Sequence, residues 1–185
     1  RGFYIADSGR HLVSDMTRFV GIDAFRAAAA VSSAYAICST EAIKFWEENI
    51  DGRGNALDNT LIGNRGNNRL SGEAGADRLY GGAGDDLLDG GMGSDTYVFN
   101  RGDGSDRVRE SLTETAGKDV VLFGANISPE ELWFRRVAED LEVSILSSTD
   151  SLLFEGWFAS KPARIELFQT DDGKVLSGRQ FDSLM

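Results

Sequence analysis

Between residues 61 and 97 a large apolar side chain recurs at every ninth position: Leu61, Leu70, Leu79, Leu88 and Tyr97. Most of its neighbours are polar. A period of nine is neither the 3.6 of a helix nor the 2 of a long strand. It divides each unit into two parts. The last three residues form a short strand with one side chain pointing inward. The first six are built mostly from Gly, Asn and Asp, which tolerate the backbone conformations of a tight coil. The units run without a gap: GNALDNTLI (54–62), GNRGNNRLS (63–71), GEAGADRLY (72–80), GGAGDDLLD (81–89) and GGMGSDTYV (90–98). One unit cannot bury its single apolar residue. Stacked units can, as parallel strands over a thin continuous core. Two units make one turn, so each loop lies against the loop two units away. Aperiodic Gly/Asn/Asp-rich sequence reads as a disordered linker; the fixed period predicts a solenoid.

The pattern changes on both sides. Residues 1–50 read as helical and as a cap over the open end of the solenoid, where bare strand edges need cover. HLVSDMTRFV (11–20) places Leu12, Met16 and Phe19 at helical spacing. FRAAAAVSSAYAI (25–37) is alanine-rich with Asp23 before it, and STEAIKFWEEN (39–49) opens on capping hydroxyls and early acids. Residues 109–185 read as a β-rich closing segment. Its strand candidates are 119–123, 132–136, 141–146, 151–154 and 164–168. Turns are expected at Asp150-Ser151 and Asp172-Gly173, and a small aromatic core from Trp133, Phe154, Trp157, Phe158 and Phe168. The chain thus divides into a helical cap (1–50), a roll (51–108) and a β flank (109–185). SGRHLVSDM (8–16) and SGRQFDSLM (177–185) share five residues, which reflects either chance or the tail of a preceding tandem module.

Charge sharpens this picture. The 185 residues carry 19 basic and 30 acidic side chains, a formal charge of −11. That balance argues against nucleic acid, whose phosphates require a basic face. Between 51 and 106 stand ten acids and five arginines. Such a roll is expected to be loose until counterions neutralise it, so that binding energy becomes folding energy. The single cysteine, Cys38, forms no internal disulfide and reads as a small buried apolar residue. No stretch is long and apolar enough to span a membrane. There is no signal peptide and no initiator Met, which makes a fragment of a longer protein the expectation.

The acids have a fixed place. The sixth position of the last three units is Asp77, Asp86 and Asp95. A carboxylate among convergent loop carbonyls is an oxygen-only site, suited to calcium better than to magnesium. The unit 81–89 matches every fixed position of the nonapeptide GGxGxDxUx, with U a large apolar residue, and so does 90–98 with Tyr97 as U. This resembles the repeats of the RTX proteins. YVFNRGDGSDRV (97–108) resembles the strand and loop that close an RTX roll. DVVLFGANISPEELWFRR (119–136), DLEVSIL and the GWF near 156–158 resemble the flank of RTX cytolysins, notably adenylate cyclase toxins.

The resemblance implies a mainly β protein built on a parallel β-roll, and about two to four Ca2+ ions. It implies carboxylate ligands from Asp77, Asp86 and Asp95, with Asp103 and Asp106 in the closing loop and Asp85 beside them. Loop carbonyls would come from Gly72, Ala74, Gly75, Gly81, Ala83, Gly84, Gly90, Met92 and Gly93. Asn59 and Asn68 hold the sixth position of the first two units without charge, while Leu57 and Glu73 replace loop glycines. The strongest sites are therefore expected at the C-terminal end.

Enzymatic constellations are missing. There is no HExxH and no GxSxG, and the one histidine, His11, reads as a surface residue. Two functional readings remain. The chain is a calcium-responsive module of a secreted protein, exported by a type I system and folding in extracellular calcium. Alternatively it is a calcium-dependent recognition module for a glycan, a host receptor or another copy of itself. An accessory module of a polysaccharide-modifying enzyme is a third, weaker reading.

Overall fold

A computed structural model of the chain describes residues 2–3, 6–7, 33–34, 49–110, 117–159 and 165–184. The strands are β1 (Gly2–Phe3), β2 (Ala6–Asp7), β3 (Ser33–Ala34), β4 (Asp51–Arg53), β5 (Thr60–Ile62), β6 (Arg69–Ser71), β7 (Arg78–Tyr80) and β8 (Leu87–Asp89). They continue as β9 (Thr96–Phe99), β10 (Ser105–Arg109), β11 (Val120–Phe123), β12 (Leu132–Val137), β13 (Asp140–Ile145), β14 (Ser151–Phe154), β15 (Leu167–Gln169) and β16 (Val175–Ser177). The protein is mainly β. Its centre is a parallel β-solenoid with no α-helix among the described residues, and short 3-10 turns occur at Pro129–Glu131 and Gly178–Leu184.

From β4 to β11 successive strands alternate between two sheets. One runs β1-β4-β6-β8-β10-β14-β13-β12 and the other β16-β15-β11-β9-β7-β5. Two nonapeptides therefore complete a turn, because one inward side chain per three-residue strand must be covered from the opposite sheet. The inward column of one sheet is Leu61, Leu79, Tyr97, Val121 and Phe168, aligned by parallel register. The facing column is Leu70, Leu88, Val108 and Phe154. All nine are buried. The solenoid then hands over to an antiparallel meander, in which β14 pairs with β13 and β13 with β12.

The flank closes the core with aromatic rings. Phe168 lies 5.4 Å from both Phe134 and Phe154, 5.5 Å from Phe181 and 6.0 Å from Trp157, centroid to centroid. Phe154, Trp157 and Phe168 take the places expected of them, and Phe158 is half-buried beneath the Arg136 guanidinium. Trp133 does not. It is 59% exposed, because Leu132 and Phe134 take the inward positions of β12 and alternation turns Trp133 outward. The strand expected at 164–168 begins at Leu167, and around the expected Asp172-Gly173 turn it forms a hairpin with β16, a strand outside the expected set.

The helices expected over residues 1–50 fall almost wholly outside the described residues. Within the alanine-rich run, Ser33–Ala34 is extended and pairs with Ala6–Asp7.

Candidate metal centre

The solenoid stacks its loops in two rows, and in each the sixth position does the same thing. The amide of Asn59 donates to Oδ1 of Asp77 (2.6 Å), that of Asp77 to Oδ1 of Asp95 (2.8 Å), and that of Asp95 to Oδ1 of Asp119 (2.8 Å). In the other row Asn68 donates to Asp86 (2.6 Å) and Asp86 to Asp106 (2.9 Å). Each carboxylate thus spends one oxygen on the rung before it. Oδ2 of Asp77, Asp86 and Asp106 is buried and accepts no hydrogen bond. A buried carboxylate oxygen without a donor is costly.

The missing side chain of the first loop glycine leaves room at that oxygen. A Cβ on Gly72 would lie 2.2 Å from Asp77 Oδ2 and 2.5 Å from the Gly90 carbonyl oxygen, and one on Gly81 would lie 2.2 Å from Asp86 Oδ2. Carboxylate and carbonyl oxygens therefore converge where only glycine fits. The carbonyls of Gly72 and Gly81 face the same position in the two earlier loops, against Oδ1 of Asn59 and Asn68. The Met92 carbonyl, by contrast, accepts the Gly75 amide. Those of Gly75 and Gly84 pack against Gly93 and Gly104 in the next loop, while Ala74 and Met92 form a parallel bridge between the loops. Ala83 is the third position of the loop 81–89, in the other row.

Burial drives the titration of these acids. It raises Asp77 and Asp86 to about 7, Asp106 to about 8 and Asp103 to about 6, helped by neighbouring carboxylates. A divalent cation supplies the charge that these groups lack, and the oxygen-only donor set fits a hard cation such as calcium.

The asparagine units are closed differently. Asn59 Oδ1 accepts the Asn55 amide, and Asn68 Oδ1 accepts the Asn64 amide while its Nδ2 donates to Asn64 Oδ1. Their amide oxygens are already engaged in local loop closure. Asp85 sits at the fifth position and is exposed; its Oδ1 accepts the Ser105 amide in a separate outer ladder. Asp103 is buried, but Oδ2 accepts both nitrogens of Asn100 and Oδ1 faces the Tyr80 hydroxyl. It shapes its own turn.

RGDGSD (101–106) proves to be a sixth loop in frame. Val108 aligns with Leu88, so Asp106 holds the sixth position although it lies 20 residues beyond Asp86. Two additional residues, Phe99 and Asn100, hid the period.

The sequence reading missed three acids. Asp119 receives the Asp95 amide, and Glu166 Oε2 receives the Asp119 amide (2.7 Å), extending the row past the repeats. Each stands two residues before an inward side chain, Val121 and Phe168, as Asp95 does before Tyr97; that spacing was the available signal. Glu110 is the third. Asp95, Glu110 and Asp119 are all buried, with carboxylate oxygens within 4.8 Å of one another. The Tyr97 hydroxyl donates to Glu110 and accepts the Gly90 amide (2.8 Å). Burial pushes both Tyr97 and Glu110 well up.

Two family comparisons agree with this geometry. The RTX calcium-binding nonapeptide repeat (4 copies) matches residues 53–88, 62–97 and 71–108. The haemolysin-type calcium binding protein related domain matches residues 140–180. Together they cover just over half of the chain. The stacked loops with their sixth-position carboxylates are those of a calcium-binding β-roll, and residues 53–108 of the chain are RTX calcium-binding repeats.

Proposed function

We propose that the chain is a calcium-responsive folding module of a secreted RTX protein. In a low-calcium cytosol the paired rows of carboxylates keep the roll loose enough for export by a type I system. Extracellular calcium then neutralises the rows and orders the roll against its aromatic flank. The observation carrying this reading is the buried, donorless Oδ2 of Asp77, Asp86 and Asp106. Within the protein one backbone amide on Oδ1 offsets each of those charges only in part, so order should depend on a cation from outside. Far-ultraviolet circular dichroism and tryptophan fluorescence, followed while calcium is added with magnesium as control, test it. A chain fully ordered in chelator and indifferent to calcium would end the proposal.

One observation favours a second reading, calcium-dependent recognition of a glycan. Trp133 is exposed on the outer face of β12 beside the Arg135–Glu142 pair. Aromatic faces and fixed polar groups are what sugar rings stack on and bond to. A glycan array on the calcium-loaded protein, repeated with Trp133→Ala, distinguishes this reading; signals equal in the two proteins would remove it.

A further inference from the structure

Inside the roll two loops lean on the next loop of their row through the same backbone bond. The amide of Gly75, at the fourth position, donates to the carbonyl of Met92, at the third position of the loop two units on (2.8 Å). Gly84 does the same with Asp103 (2.9 Å). The loop 101–106 is the last of its row and has no such successor. The next strand in that sheet is β14, which places Leu152 opposite Asp106 and so supplies no sixth-position carboxylate.

Asp150, two residues before Leu152, fills the gap with its side chain. Its Oδ1 accepts the amide of Gly104 (3.1 Å) and its Oδ2 that of Gly102 (2.9 Å), while the Gly104 carbonyl accepts the Ser151 amide (2.9 Å). Gly102 and Gly104 both have positive φ, +88° and +97°, and the Gly104 carbon lies so close to the Gly84 carbonyl that a Cβ would approach it to 2.2 Å. Asp150 is buried and belongs to the flank. From the same side Glu131 pairs with Arg101 (2.5 Å), and the Asn126 carbonyl accepts the Arg101 Nε (3.2 Å).

We propose that Asp150 is a positioning residue for the last calcium site of this row, the one carried by Asp86 and Asp106. Its carboxylate replaces the loop carbonyls of a next rung. It ends the stack and holds the 101–106 turn in the shape that lets Asp106 Oδ1 accept the Asp86 amide and leaves its Oδ2 buried without a donor. The affinity of that site is thereby tied to the docking of a segment some 44 residues downstream of Asp106, as the 150–106 separation requires. This inference rests on the calcium-binding reading above.

The experiment is a double-variant cycle on the full chain: wild type, Asp150→Ala, Asp106→Asn and the pair. Calcium midpoints are read by circular dichroism and by isothermal titration. Loss of two hydrogen bonds to a charged group should raise the wild-type midpoint by about tenfold. In the Asp106→Asn background the same change should add less than about twofold, because the site through which Asp150 acts is already disabled. Asp150→Asn keeps one acceptor oxygen and should fall between wild type and Asp150→Ala. It also serves as the test if Asp150→Ala does not fold at saturating calcium. An unchanged midpoint in both Asp150 variants overturns the inference, as does a full tenfold shift that persists beside Asp106→Asn, the mark of a general structural role. A wild type that ignores calcium overturns the functional reading and this inference together.

Discussion

The amide of Asp77 donates to Oδ1 of Asp95 across 2.8 Å, and the same bond joins Asp86 to Asp106 at 2.9 Å. Through these bonds one oxygen of each acceptor carboxylate becomes part of the backbone ladder. The other is left without a donor in Asp77, Asp86 and Asp106. The scaffold and the candidate metal site are therefore two ends of one side chain.

Substituting Asp86→Asn should keep the ladder acceptor and remove the charge and the second carboxylate oxygen. The calcium midpoint is expected to rise roughly tenfold, with the fold still reached at saturation. Asn68→Ala removes the side-chain bonds that close its own loop on Asn64 but no charged ligand, so it should lower stability at saturating calcium by about 1–3 kcal/mol while shifting the midpoint less than Asp86→Asn does. Circular dichroism titrations of the two proteins check this; equal shifts would show that the sixth position does not grade the sites.

Acidity should act in the direction opposite to an ordinary salt-bridged acid. Asp77, Asp86 and Asp106 have folded values of about 7, 7 and 8 against an ordinary 3.8. In the metal-free state the folded chain holds protons more tightly than the unfolded chain. Stability is thus retained below about pH 4 with respect to these groups and declines as pH rises to about 8. Order in chelator should be greater at pH 5 than at pH 8.5. The calcium midpoint should fall as pH rises from about 6 to 8, since calcium must displace those protons. A midpoint independent of pH would contradict the burial of these groups.

Tyr97→Phe changes no shape, yet should be destabilising by about 1–3 kcal/mol, because it strands Glu110 and the Gly90 amide together. Adding Glu110→Leu should recover part of the loss. Denaturant unfolding at saturating calcium measures both; a neutral Tyr97→Phe would mean that the hydroxyl has another replacement.

Two loop glycines, Gly93 at the fourth position and Gly102 at the second, should respond unequally to alanine. At Gly93 a Cβ would lie 1.7 Å from the Gly75 carbonyl oxygen, at φ +137°. At Gly102 a Cβ would meet nothing within 4 Å, leaving only the backbone penalty of φ +88°, about 1 kcal/mol. Gly93→Ala should therefore prevent the loops from stacking and lose calcium-induced order, while Gly102→Ala should retain it. Comparable losses would show that conformation, not close approach, sets the demand for glycine.

Much of this was legible before any coordinates. The ninefold spacing of Leu61 to Tyr97 fixed the inward column, the strand length and the two-unit turn, because only one packing buries a single apolar residue per nonapeptide. Asp77, Asp86 and Asp95 were legible as one set because they keep that spacing. What was not legible is whatever breaks the period. Phe99 and Asn100 shift the sixth loop by two residues, so Asp106 was placed only as part of a closing loop. Asp119, Glu166 and Asp150 join the rows across 24, 47 and 46 to 48 residues, where the nine-residue period no longer marks them. Trp133 was assigned to the core on composition, whereas the phase of β12 turned it to solvent.

The sequence by itself therefore determined the repeating unit: its loop, its strand, its inward side chain and the place of its candidate oxygen ligands, all set by nearest-neighbour stacking. Only the tertiary structure decided how the stack ends. Termination depends on which distant side chains satisfy the last loop's donors and cover the last apolar residue. Asp150 on Gly102 and Gly104, and the rings around Phe168, are contacts that exist only once the flank has folded back.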